Sequence, residues 1–329
     1  MLPLKYILKL PIYLFNYYPS FLSKGTHFYS VNYTDNGGRP EKEGVIFMCD
    51  GKLQHGGLTD RLRGLLTTFE NAQNRGLPFF INWNSPFKLE NYLQPNEIDW
   101  RISPEQISYN KRYAFPVILW ECVADKHRAL ANKLQLSLAL VNRKKQVHVY
   151  SNSNNSKGQY ATLYSKLFKP SPLLENEINN HLNKLGSHYW SFSFRFQQLL
   201  GDFKDICGVT LSPSEQESLI NHVKSEVEQV IKELPANYRV LVASDSMRFI
   251  DVIKELDSRI YSVEGRISHV DIDANADVNS DIWLKTFLDN QLIMSAEKVF
   301  LFKTGQMYNS GFPRFAAEVG GKPFILHEF

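Results

Sequence analysis

Cysteine is scarce in this chain. Its 329 residues hold three, Cys49, Cys122 and Cys207, far apart and odd in number, which fits neither a disulfide framework nor a zinc ribbon. They read as reduced, buried cysteines of a cytosolic protein, none in an electropositive turn that would activate a nucleophile. An excess of one charge is also missing. Lys and Arg number 37 against 34 Asp and Glu, a net of +3, too small and too evenly spread for nucleic acid to be the main partner. No uninterrupted apolar run approaches the roughly 20 residues that a membrane-spanning helix needs. No predicted strand is followed by GxGxxG or GxxxxGK(S/T), which argues against a dinucleotide oxidoreductase and a P-loop enzyme.

What is present begins with an unusual leader. The first 24 residues are rich in Leu, Ile, Tyr and Phe, carry only Lys5, Lys9 and Lys24 as charges, and are interrupted by Pro3, Pro11 and Pro19. No small-residue cleavage site follows, as a signal peptide would require. Such a basic, aromatic segment suits a peripheral contact with the inner face of a membrane, and equally a segment packed on the protein's own core. The expected location is cytoplasmic.

The chain then alternates. Gly44–Asp50 reads as a buried strand, followed by a helix from Leu58 to about Arg75 with Leu58, Leu62, Leu65, Leu66 and Phe69 on one face. Further strands are expected at Pro78–Trp83, Pro116–Glu121 and Gln146–Ser151, while residues 84–115 are ambiguous. The small polar tract Ser151–Gly158 reads as a solvated loop.

Beyond residue 187 the pattern is more regular. Strands are predicted at 189–196, 239–244, 259–264, 298–303 and 323–326, and helices at 213–234, 247–256, 281–295 and 311–319. This is the pattern of a parallel sheet with crossover helices. Ser212-Pro-Ser-Glu215 is a helix start, with Ser212 as N-cap and Glu215 closing a capping box. The fold class is therefore α/β, with two Rossmann-like domains facing across a cleft, residues 1–186 and 187–329.

Two constellations carry chemistry. Tyr189–Phe203 runs as an alternating strand into Arg195 and then reaches Asp202. Ligands of open α/β sheets collect outside the carboxyl ends of the strands, where a guanidinium fork can hold phosphate oxygens. The loop from Asp50 to Gly64 pairs Gly56 with Gly57 ahead of a helix N-terminus, which lets backbone approach an anion. Thr59 or His55 could cap that helix, and Arg61 and Arg63 would add charge near its start.

Taken together these segments resemble the fucosyltransferase superfamily, which includes α1,2-, α1,6- and protein O-fucosyltransferases and the nodulation fucosyltransferases. Gly56-Gly-Leu-Thr-Asp60-Arg61-Leu-Arg-Gly64 is similar to that family's first loop. Ser193-Phe-Arg195 through Gly201-Asp202 resembles its His-x-Arg-x-Gly-Asp motif, and Ser244-Asp245-Ser246 its strand-end Ser/Thr-Asp motif. Asp289, with Ser310, Gly311 and Phe312, resembles the closing motif. Two departures stand out: Ser193 replaces the family's histidine, and Phe196–Leu200 lengthens the gap between the arginine and Gly-Asp.

The resemblance implies a GT-B fold and an inverting hexosyltransferase that needs neither metal nor cofactor. Fucose would pass from GDP-fucose to a hydroxyl of a surface glycan, with the first domain on the acceptor side and the second binding the nucleotide-sugar donor. Gly56, Gly57, Arg61, Arg195, Ser244, Asp245, Ser246, Asp289, Ser310, Gly311 and Phe312 would line the donor site, with Arg195 on the β-phosphate. No Asp-x-Asp metal motif is evident in a strand-end loop, so Arg195 and the helix start at Ser310 would replace a cation. Asp60, His55 and Asp202 are the candidates for the general base. Another activated sugar, such as a GDP-deoxyhexose or GDP-heptose, is the alternative donor. A glycan-binding protein of the same fold without turnover is the alternative of a different class.

Overall fold

A computed structural model describes residues 25–119, 126–141, 145–153, 159–204, 208–265 and 282–329. The readings made for residues 1–24, Cys122 and Cys207, and most of the Ser151–Gly158 tract, fall outside these. The chain divides into two compact units. One comprises Met1–Lys88 with Pro95–Phe168, the other Leu89–Gln94 with Lys169–Phe329.

In the first unit a helix over residues 25–32 (α1) precedes strand β1 (Gly44–Cys49), helix α2 (Leu58–Gln73) and strand β2 (Phe79–Trp83). Short strand β3 (Leu93–Pro95) lies where the chain passes between units. Then come β4 (Ala114–Leu119), α3 (Lys126–Ala139), β5 (Gln146–Ser151) and α4 (Tyr160–Leu167), and β6 (Phe168–Pro170) lies at the third crossing. The parallel sheet has the order β2-β1-β5-β4. Every residue of β1 and β5 is buried, as expected for strands covered on both faces. Pro116 can donate no ladder hydrogen bond, and β4 is an edge strand. It starts at Ala114, earlier than the sequence pattern suggests.

The second unit runs α5 (Pro172–Leu185), β7 (Tyr189–Phe194), α6 (Pro213–Lys232), β8 (Arg239–Ser244), α7 (Met247–Lys254) and β9 (Ile260–Tyr261). It ends with α8 (Ile282–Ser295), β10 (Lys298–Lys303), α9 (Gly311–Gly320) and β11 (Phe324–Glu328). Its parallel sheet has the order β11-β10-β7-β8-β9. Phe192 and Phe194 of β7 pack in one core with Val223, Val227 and Ile231 of α6 and Phe249 and Ile253 of α7. Helix α8 packs against both α5 and α9. Helix α5 belongs to this unit, so the unit begins before residue 187.

Serine starts four helices of this unit, α5, α6, α7 and α9. Ser171 Oγ accepts from Leu174 N–H, and Ser246 Oγ from Phe249 N–H. Ser310 Oγ accepts from Phe312 N–H, and Ser212 and Glu215 close the expected capping box over α6. Helix α9 stops at Gly321, whose φ of 63° is left-handed. Helix α2 differs: its N-cap is Gly57 and no side chain caps it, so neither Thr59 nor His55 has that role.

Each unit holds one helical glycine that a methyl group would push off its neighbour. A Cβ on Gly64 of α2 would lie 2.0 Å from the Ser151 carbonyl oxygen at the end of β5. One on Gly320 of α9 would lie 2.1 Å from that of Met294 in α8. Among the described residues no helix is long and apolar enough to cross a membrane.

Candidate functional site

In the second unit β7 is central. The chain proceeds from it to β8 and β9 on one side and then returns to β10 and β11 on the other. The carboxyl ends of β7 and β10 thus flank a topological switch point, where open α/β sheets leave a crevice for ligands. Phe194 ends the ladder, paired with Ser244 of β8 and Phe302 of β10, and Arg195 is the next residue. Its carbonyl oxygen accepts from Tyr308 N–H at 2.9 Å, which ties the loop after β7 to the loop that leads into α9.

The strand ends at Phe194, short of the predicted 196, because Asp245 takes over the backbone. Its carboxylate accepts from Phe196 N–H at 2.9 Å and Gln197 N–H at 2.7 Å. Gln197 has φ 55°, the single positive φ of a non-glycine among the described residues, a conformation that costs about 1–2 kcal/mol and persists only when held. The same carboxylate pairs with Arg195, Oδ2 to Nη1 3.1 Å. The guanidinium lies 4.7 Å from the Phe203 ring centroid, within cation–π range. Burial pushes the Asp245 carboxyl up to about 6, against the opposing pull of Arg195 and the two N–H groups, which leaves it ionised at neutral pH. Asp245 is thereby a residue that shapes the strand end and aims Arg195.

Asp202 follows the turn at Gly201, φ 77°, and stands at the start of α7. Its Oδ2 accepts from Ser246 Oγ at 2.8 Å and Arg248 N–H at 3.0 Å. Ser244 Oγ accepts from Ser246 N–H at 3.1 Å. Arg195, Asp202, Ser244, Asp245 and Ser246 therefore form one bonded cluster, joined through Tyr308 to the loop before Ser310, Gly311 and Phe312. Asp289 sits within α8, its Oδ2 2.7 Å from Lys285 Nζ in a buried pair, its carboxyl raised by burial against the pull of Lys285. Its partner Lys285 lies one turn earlier in the same helix.

The residues of the other loop are placed differently. Arg61 is 4% exposed, its Nε donating to Gly56 O at 3.0 Å and its Nη1 to Cys49 Sγ and to Ser85 O at 3.1 Å. It braces the loop after β1 from within. Gly56 has φ 83°, and a Cβ there would lie 2.8 Å from Asp60 Oδ2, so the loop passes close over this carboxylate. Asp60 is exposed in the first turn of α2, where negative charge suits the helix dipole. Gly57 has open space beside it. His55 is buried between Phe47 and Tyr150, stacked on the latter at 5.9 Å.

Beside this loop lies a polar network that sequence reasoning missed. Asp50 Oδ2 accepts from Tyr109 Oη at 3.2 Å and Tyr150 Oη at 3.1 Å, with Lys52 Nζ at 3.5 Å. Lys52 Nζ also stands 3.5 Å from the Tyr109 ring centroid. Burial lowers the Lys52 ammonium against the pull of Asp50. Tyr33 Oη meets His148 Nδ1 at 2.7 Å; burial first, then Lys52, pushes His148 down to about 3, so it is neutral. The signal for this network was Asp50 itself, an acid closing a fully apolar strand.

No protein-family model matches the sequence, and no curated protein matches it. Solved structures do match. NodZ alpha-1,6-fucosyltransferase from Bradyrhizobium, soaked with GDP-fucose, is similar over 84% of this chain and 93% of its own, with TM-score 0.56 and 14% identity. A variant of Arabidopsis thaliana FUT1 in complex with GDP covers 93% of this chain over 74% of its own, TM-score 0.53, 9% identity. POFUT1 in complex with GDP-fucose covers 90% over 99% of its own, TM-score 0.51, 12% identity. At such identities the likeness is one of fold: the chain has the α/β, GT-B-like fold expected from its motifs.

Proposed function

We propose that this protein is a glycosyltransferase that moves fucose from GDP-fucose to a hydroxyl of a glycan acceptor. The observation that carries the reading is Arg195 at the switch point of the second unit, aimed by Asp245 and tied by Tyr308 to the loop that starts α9. Departure of a nucleoside diphosphate concentrates negative charge on its β-phosphate. A held guanidinium beside a helix start stabilises that charge more in the transition state than in the ground state. We read the transfer as inverting and metal-independent, with the second unit holding the donor and the first unit the acceptor.

For the general base we propose Asp60. His55 is enclosed by rings; Asp202 and Asp60 are both exposed, but one oxygen of Asp202 is taken up by the start of α7, and Asp60 stands in the first turn of α2 beside Gly56. Asp60→Asn is expected to lower transfer by about 10²–10⁴-fold with unchanged stabilisation by GDP; near-normal transfer by this variant removes the assignment.

The reading is tested by thermal shift with GDP, GDP-fucose, GDP-mannose, UDP, CMP and NAD, each with and without EDTA. A rise specific to GDP compounds and indifferent to EDTA supports the donor class and metal independence. The EDTA arm bears on Asp271 and Asp273, an Asp-x-Asp pair in the sequence between β9 and α8 that lies outside the described residues. Stabilisation by UDP, CMP or NAD alone, or by none, overturns the donor assignment. GDP-mannose stabilising more than GDP-fucose would move it to another GDP-sugar.

A further inference from the structure

Two side chains beside Arg195 stand on fixed backbone and have no partner among the described residues. Gln197 is one. Its φ of 55° is a conformation that Gly or Asn takes at less cost. The Asp245 carboxylate, which also pairs with Arg195, holds it there through the Gln197 N–H at 2.7 Å. Phe196 before it and Leu199 and Leu200 after it are buried in the core of the unit. Gln197 itself is half-buried, and its carboxamide hydrogen-bonds to none of the described residues. Backbone strain of this kind clusters at ligand sites.

Tyr308 is the other. Its N–H donates to Arg195 O and its carbonyl accepts from Ser310 N–H, both at 2.9 Å, while Met307 before it is buried in the same core. The Tyr308 ring is nonetheless 52% exposed and contacts no other ring or hydrogen-bonding group among the described residues. A lone exposed tyrosine is ordinary. This one has both backbone groups bonded and lies one hydrogen bond from Arg195, at the crevice between the ends of β7 and β10.

The chemistry of the pair differs from that of Arg195. Neither is a cation, so neither suits diphosphate oxygens. A carboxamide donates and accepts at once, as neighbouring sugar hydroxyls require, and a tyrosine offers an apolar face with a polar tip. With a β-phosphate on Arg195, the group esterified directly to it is the sugar, whereas the base is set off by the α-phosphate and ribose. We propose that Gln197 and Tyr308 form the subsite for the transferred sugar. Gln197 hydrogen-bonds its hydroxyls, and Tyr308 packs on its apolar side, where a 6-deoxy sugar carries a methyl group in place of a hydroxymethyl. The inference rests on the donor reading of Arg195 and adds to it the residues that read the sugar.

Calorimetric titration of the full chain with GDP, GDP-fucose and GDP-mannose tests it. Gln197→Gly suits the positive φ, so a purely structural role predicts an unchanged or higher melting temperature and no change in ligand preference. The subsite predicts that the affinity for GDP-fucose relative to GDP falls about three- to tenfold in Gln197→Gly and in Tyr308→Ala, with GDP binding as in wild type. Tyr308→Ala should also narrow the preference for GDP-fucose over GDP-mannose, and Tyr308→Phe should keep it because the ring remains. Unchanged ratios in both variants, with GDP still bound, overturn this inference and leave the donor reading standing. Equal weakening of GDP and GDP-fucose would place the nucleotide against these residues and overturns it too. Failure of the wild-type chain to bind any of the three overturns the donor reading and the subsite together.

Discussion

Arg61, in the first turn of the helix that follows one apolar strand, and Arg195, directly after another, look alike in sequence as arginines near a strand's carboxyl end. The fold uses them in opposite ways. Arg61 turns inward, its guanidinium donating to Gly56 O, Ser85 O and Cys49 Sγ and so bracing a loop. Arg195 keeps a fifth of its side chain exposed and takes an acid, Asp245, as partner. Exposure separates them: Arg61 is 4% exposed, whereas Arg195, for which we propose an anion, keeps part of its side chain in reach of solvent. Residues distant in sequence hold both, Ser85 for one and Asp245 for the other.

The comparison is broken most sharply by removing each arginine in turn. Arg195→Ala is expected to cut transfer from GDP-fucose by about 10²–10³-fold, the effect of deleting a preorganised charge-stabilising donor, with little change in the urea midpoint. Near-normal turnover would show that the two arginines do not differ as described.

The helical glycines come next. Gly64→Ala and Gly320→Ala each drive a methyl group against a carbonyl oxygen at 2.0 and 2.1 Å, and each should lose about 3 kcal/mol or more in denaturant unfolding. Equal losses would mean that both units unfold as cooperatively as each other; a second transition in only one variant would separate them.

Asp245 sharpens the comparison through pH. Its folded value of about 6 lies above the ordinary 3.8, so between these values the unfolded chain has released a proton that the folded chain retains. Stability from this group is therefore full below pH 4 and falls as pH rises toward 6, by up to about 3 kcal/mol. Asp245→Asn should flatten that decline in unfolding curves taken from pH 4 to 7, and an unchanged slope would remove the assignment.

The smallest effect is expected for Arg61→Leu, about 2 kcal/mol of stability from carbonyls left unpaired, with donor-dependent stabilisation by GDP preserved. Loss of GDP response with unchanged stability would make Arg61 a ligand group after all.

Much of the second unit was legible in sequence because its cues are local. Strands 239–244 and 298–303 stand where alternation put them, Ser212 starts α6 as its spacing to Glu215 indicates, and the helix expected from 311 begins there after Ser310. What escaped depended on distant partners. The end of β7 is set by Asp245, and the Asp50 network draws Tyr109 and Tyr150 from far along the chain. Residues 84–115 were ambiguous because they fold into one-turn helices and short strands, too brief for a period to declare itself. The motif residues were found as a set, but sequence could not say that Arg61 faces inward or that Asp202 serves α7.

One consequence of the strand-end geometry concerns tolerance to insertion. Arg195 is pinned by Asp245, and Asp202 by Ser246 and the backbone of Arg248. Both anchors belong to a single short stretch after β8. The residues between are held as well: Asp245 takes the backbone N–H groups of Phe196 and Gln197, and Phe196, Leu199 and Leu200 pack into the core, so the spacer is a folded turn between two anchored ends. A longer spacer between arginine and aspartate is a change of loop, and a search pattern that demands fixed spacing there would pass over chains built this way.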